Sequence, residues 1–69
     1  MERTAVTSSN IAEIGYESAT MTLEIAFLNG TVYQYFDVPE AVYRELMGPG
    51  SKGKYFHANI KNSYRCAKL

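Results

Sequence analysis

Leu23-Glu24-Ile25-Ala26-Phe27-Leu28-Asn29-Gly30-Thr31-Val32-Tyr33-Gln34-Tyr35-Phe36-Asp37-Val38-Pro39 decides the fold of this chain. Leu23, Ile25 and Phe27 recur at every second position, as the buried face of a strand does. Asn29-Gly30 follows at once and signals a hairpin, because both residues tolerate the positive φ of a tight turn. Tyr33-Gln34-Tyr35 returns as an aromatic strand. Asp37-Val38-Pro39-Glu40 then stops that strand and opens a helix, with a proline to preset φ and acids near the positive helix end.

Outward from this hairpin, Met1 to Thr7 offers a short edge strand anchored by Val6, and Ser8-Ser9-Asn10 is polar punctuation. Ile11 to Tyr16 reads as a strand with Ala12, Ile14 and Tyr16 on one face, and Glu17 to Thr20 as a turn. Downstream, Val38, Val42 and Leu46 align along a helix from Val38 to Met47, ended by Gly48 and Pro49. Ser51 caps a second helix carrying Phe56, Ile60 and Tyr64 at spacings of four, fraying around Asn62-Ser63. The expectation is an α+β fold: a three-stranded antiparallel meander, with room for a short extra N-terminal strand, covered on one face by two C-terminal helices.

The hairpin register decides where the tyrosines point. A two-residue turn pairs Leu28 with Thr31 and sends Tyr33 and Tyr35 to the open face. A three-residue turn with Gly30 in a bulge pairs Phe27 with Thr31 and sends both rings under the helices. A slip of one residue inverts every side chain. Burying Gln34 without a partner costs about 1–3 kcal/mol, which favours the second register.

Sixty-nine residues are expected to make one domain, residues 1–69, near the lower limit of unaided folding. The composition, 46% hydrophobic and 20% charged, is that of a globular chain rather than a disordered one. No apolar run approaches a membrane span and no leader pattern opens the sequence, so neither a membrane nor export is expected. With Cys66 alone, no internal disulfide can form, and a reducing, cytoplasmic location and a monomer are the default expectations. The formal net charge of zero hides a polarity: after Glu45 no acid remains, while Lys52, Lys54, Lys61, Arg65 and Lys68 follow. Such a basic end suits phosphate backbones or acidic proteins, or the acidic half of the same chain.

Reaction chemistry finds no footing. Gly48 to Tyr55 matches the phosphate-loop spacing G-x-x-x-x-G-K but puts Tyr55 where Ser or Thr would hold Mg²⁺, and it joins two helices. What survives is a weaker anion site of Ser51, Lys52, Gly53 and Lys54 at a helix start. His57 and Cys66 stand nine residues apart without a third ligand or an orienting group, so neither a metal site nor a nucleophile is expected. Neither a cofactor nor catalysis is expected.

Ser8-Ser9-x-Ile11, Ile14-Gly15-Tyr16-Glu17, Tyr33-x-Tyr35, Val38-Pro39, Val42-Tyr43-x-x-Leu46 and Ser51-x-Gly53-x-Tyr55-Phe56 stand in the order and spacing of the KTSC domain. The resemblance spans residues 6–64, and its central Y-x-Y corresponds to Tyr33 and Tyr35. This small domain is found at the C-terminus of some lysyl-tRNA synthetases and as free-standing bacterial proteins. The resemblance implies a non-enzymatic binding module of unestablished function for which RNA binding is suggested. On that reading Ser51, Lys52, Gly53, Lys54, Lys61 and Arg65 contact phosphates of tRNA or single-stranded RNA, and Tyr33, Tyr35, Tyr55 and Phe56 stack bases. The alternative is a protein-interaction module acting through an exposed sheet face or an edge strand.

Overall fold

The computed structural model describes all residues, 1–69. Five antiparallel strands form one sheet in sequence order: β1 (Arg3–Ala5), β2 (Ile11–Glu17), β3 (Thr22–Phe27), β4 (Val32–Tyr35) and β5 (Cys66–Lys68). Two helices, α1 (Glu40–Met47) and α2 (Lys52–Asn59), lie between β4 and β5 in the chain. The fold is α+β, but the sheet is wider than the expected three-stranded meander. The N-terminal strand is present as β1. β5 adds a strand beyond β4 through the pairs Tyr33–Lys68, Gln34–Ala67 and Tyr35–Cys66. Three residues with no apolar alternation left β5 without a sequence signal; what recruits it is the row of backbone groups along β4.

The hairpin takes the three-residue turn. Phe27 N–H donates to the Thr31 carbonyl at 2.8 Å, and Gly30 adopts φ +92°, which closes the bulge. Leu23 therefore faces Tyr35 and Ile25 faces Tyr33, with all four side chains on the helix-covered side. Gln34, on the opposite side, donates from Nε2 to Glu24 at 2.9 Å.

Two further boundaries depart from periodicity. α1 begins at Glu40 rather than Val38, because Pro39 disfavours helical backbone at the residue before it. Val38 nevertheless reaches the core from an extended segment and is fully buried. A bulge between Ile11 and Glu13 shifts β2 by one residue, so Ile11, rather than Ala12, joins Ile14 in the core. α2 stops at Asn59, and Tyr64 packs against the core from beyond the helix. Asn59, Asn62 and Ser63 are residues that favour turns over helix interior.

The core joins Ile11, Ile14, Leu23 and Ile25 from the sheet to Leu46, Phe56 and Ile60 from and around the helices. Tyr16 pins the strand-to-helix crossing: its ring stacks on Tyr43 at 4.8 Å, and its hydroxyl donates to the Val38 carbonyl at 2.6 Å. Burial, and then the nearby Glu40 carboxylate, raise the pKa of that phenol above its ordinary value.

On the uncovered side a polar chain crosses four strands. Arg3 meets Glu13 at 3.2 Å and Glu24 at 3.3 Å, and Glu24 accepts from Gln34. Glu24 is only 8% exposed, so its charge depends on those partners.

Candidate functional site

Three turns meet at one end of the helix-covered face. In the first, Ser8 Oγ accepts from the backbone N–H of Asn10 and Ile11 and turns its own proton to Asn10 Oδ1 at 3.1 Å. In the second, the β3–β4 hairpin, Asn29 Oδ1 accepts from Thr31 N–H at 3.0 Å and Thr31 Oγ1 at 2.7 Å. A backbone bond from Leu28 N–H to the Asn10 carbonyl, 2.9 Å, ties these two turns together. The third is the start of α2, where Ser51 Oγ accepts from Lys54 N–H at 3.2 Å and caps the helix as its residue type foretold. Gly53 lets this helix close on the first turn: a Cβ there would stand 2.7 Å from Asn10 Oδ1.

Between the turns lies an open concavity of about 440 Å³. Its floor is an aromatic cluster. Phe27 meets Tyr33 edge-on at 6.2 Å and Phe56 at 5.5 Å, and Tyr35 meets Phe56 at 5.5 Å. Tyr33 and Phe27 are half-buried and present ring surface, whereas Tyr35 and Phe56 are 4% and 5% exposed. The rim carries His57, Lys61 and Asn62 from α2 and its exit, Asn10, Asn29 and Thr31 from the turns, and Cys66 from β5. A second hollow of about 480 Å³, walled by Ser9, Ser51, Gly53 and Lys54, shares Asn10 and His57 with the first. The two hollows thus adjoin across Asn10 and His57 and together form a groove. Neither contains an aspartate or glutamate.

The groove gathers only part of what sequence reasoning grouped. Ser51, Gly53, Lys54 and Lys61 line it, with Tyr33, Tyr35 and Phe56 beneath. Lys52 turns away and donates to the Gly48 carbonyl at 3.4 Å. Arg65 lies outside the groove, pairing with Asp37 at 3.1 Å and covering the Phe36 ring at 5.7 Å. Tyr55 also points elsewhere, donating to Glu45 Oε2 at 2.8 Å. Burial first, and then that carboxylate, raise its pKa. Of the expected stacking rings, Tyr33 is half-buried, lines the groove and stacks toward Tyr35 at 6.3 Å, whereas Tyr35 is core.

Asn10, Asn29, Thr31 and Asn62 were missed because short polar side chains beside glycine or serine read as turn formers. His57 and Cys66, remote in sequence, share the groove, but no carboxylate accompanies them and no three ligating side chains cluster anywhere. Cys66 is a free, exposed thiol. Burial first, then the Cys66 and Tyr33 groups, push the Tyr35 phenol up to about 12.

Comparison with known proteins places this architecture. The crystal structure of a KTSC domain protein from Yersinia pestis superposes with a TM-score of 0.93 at 40% identity, covering 99% of this chain and 96% of that one. A protein of Tsukamurella paurometabola is 33% identical over 64 residues, 93% of this chain and 96% of its own length. A lysine–tRNA ligase of Trichormus variabilis is 48% identical over 61 residues, 88% of this chain. The chain spans only 11% of that ligase, so the likeness concerns one small part of the enzyme. The KTSC domain model matches residues 7–64, which takes in all three turns, both helices and every groove residue but Cys66; the chain belongs to the KTSC domain family.

Proposed function

We propose that this chain is a non-catalytic binding module whose groove takes single-stranded RNA. The observation that carries the reading is the pairing of an aromatic floor with a basic rim free of carboxylates. An unstacked base has a π-face for Tyr33, and its flanking phosphates have Lys54, Lys61 and His57 within the same groove. Duplex RNA would offer neither exposed base faces nor a narrow enough backbone. The occurrence of a similar segment in proteins named as lysine–tRNA ligases agrees with an RNA partner.

A protein partner finds less support. The uncovered sheet face is crossed by the polar Arg3–Glu13–Glu24–Gln34 chain, with Ala26, Val32 and Ala67 beside it. Both edge strands are three residues long. Of the exposed large apolar residues Met1, Met21, Leu28 and Leu69, Met21 and Leu28 flank opposite ends of β3.

Titration of the protein with a labelled single-stranded RNA at low and moderate salt tests the proposal. Affinity should fall with salt along a log–log slope of about −0.7 per phosphate neutralised, which for Lys54 and Lys61 gives about −1.4. Backbone amide shifts should concentrate at residues 8–10, 27–33 and 53–62. Absence of binding at low salt, or shifts confined to β1 and β2, would overturn it.

A further inference from the structure

The amide side chains at the groove are committed in one direction, and that commitment bears on which bases the groove accepts. Asn29 Oδ1 receives a backbone N–H and a hydroxyl from Thr31, which fixes the amide with its oxygen inward to the turn. Asn10 Oδ1 receives the Ser8 proton, since Ser8 Oγ already accepts from two backbone N–H groups. Each asparagine therefore keeps its Nδ2 donors free, and both residues line the groove. The Leu28–Asn10 backbone bond holds together the two turns that carry these amides. Lys61 adds a further donor, and no carboxylate stands in the groove to accept.

Bases differ in this respect. Uracil and guanine present a carbonyl oxygen where cytosine and adenine present an amino group. Carbonyl oxygens satisfy the asparagine amides, whereas amino groups meet them donor to donor. We propose that the groove reads a single base over Tyr33 and prefers keto bases, uracil or guanine, to amino bases, through Asn10 and Asn29. This rests on the RNA-binding reading and adds a specificity to it.

Short labelled homopolymers separate the two claims. Uridylate should bind about fivefold tighter than cytidylate, and inosinate tighter than adenylate by a similar factor, the worth of one neutral hydrogen bond. Asn29→Asp retains the oxygen that Thr31 needs and the Asp-Gly turn, but replaces the donor by an acceptor. Its added charge should weaken every oligomer, while the uridylate-to-cytidylate ratio should fall below one. A ratio is insensitive to partial unfolding, which lowers all affinities together. Equal affinities for all four homopolymers would overturn the base preference and leave RNA binding standing. An Asn29→Asp variant with the wild-type ratio would overturn the assignment of that preference to the Asn29 amide. Failure of every homopolymer to bind at low salt would remove both.

Discussion

The two faces of the sheet dispose of their polar groups in opposite ways. On the uncovered face Arg3, Glu13, Glu24 and Gln34 satisfy one another in a chain across four strands. At the end of the helix-covered face, Asn10, Asn29, Lys54 and Lys61 line a groove without an acid to answer them. The first arrangement is complete within the molecule. The second leaves donors over an aromatic floor, the feature on which the proposed RNA binding rests. Charge segregation along the sequence acquires its meaning here, because the acids are engaged elsewhere: Glu24 with Arg3, Glu40 with Arg44 at 2.9 Å, and Glu45 with Tyr55.

Breaking the closed face should have the largest effect. Arg3→Ala leaves the Glu24 carboxylate, whose side chain is 10% exposed, with Gln34 alone. A loss of about 2 kcal/mol is expected in urea unfolding, less than for a fully buried pair because Arg3 is itself 31% exposed. RNA affinity of the folded variant should not change. A parallel loss of affinity would show that the faces are not independent.

The converse substitution acts on the open groove. Tyr33→Ala removes the accessible stacking ring and should weaken single-stranded RNA binding by about 1–2 kcal/mol in anisotropy titrations. Wild-type affinity would place the base elsewhere. A pH dependence sharpens the same contrast between Tyr33 and its buried neighbour. The Tyr35 phenol titrates near 10 when unfolded and about 12 when folded. Its stabilising contribution is therefore intact below pH 10 and lost as pH rises through about 12. Tyr35→Phe should flatten that alkaline decline in stability, measured by denaturation at pH 9 to 12, and leave neutral-pH RNA affinity near wild type.

Much of this fold was legible because its strongest signals are local. Asn29-Gly30, the Leu23-Ile25-Phe27 alternation and the Ser51 cap each act over a few residues, and each behaves as its chemistry dictates. The Tyr33 orientation turned on one energetic argument, that Gln34 needs a partner, and Glu24 supplies one on the far face. β5 was illegible because its cause is the unpaired side of β4, which is distant in sequence. The groove was half legible for a related reason. Lysines and aromatics announce themselves, whereas Asn10 and Asn29 do in the turns what turn residues always do, and only the meeting of their turns through Leu28 suggests the second role proposed for them.

The smallest expected change in stability belongs to Gly53→Ala, and it isolates the groove from the fold. Alanine in place of glycine favours a helix by up to about 1 kcal/mol. The new methyl would stand 2.7 Å from Asn10 Oδ1, and that atom is the end of a side chain able to move. Moving it breaks the Ser8–Asn10 bond, at a cost of about 0.5–1.5 kcal/mol, so the two effects nearly cancel. Thermal denaturation should then report a midpoint close to wild type. The uridylate-to-cytidylate ratio should drop toward one, because Asn10 no longer holds its donors beside those of Asn29. A stable variant that keeps the full ratio would assign base reading to Asn29 alone and leave the Ser8–Asn10 turn a purely structural part.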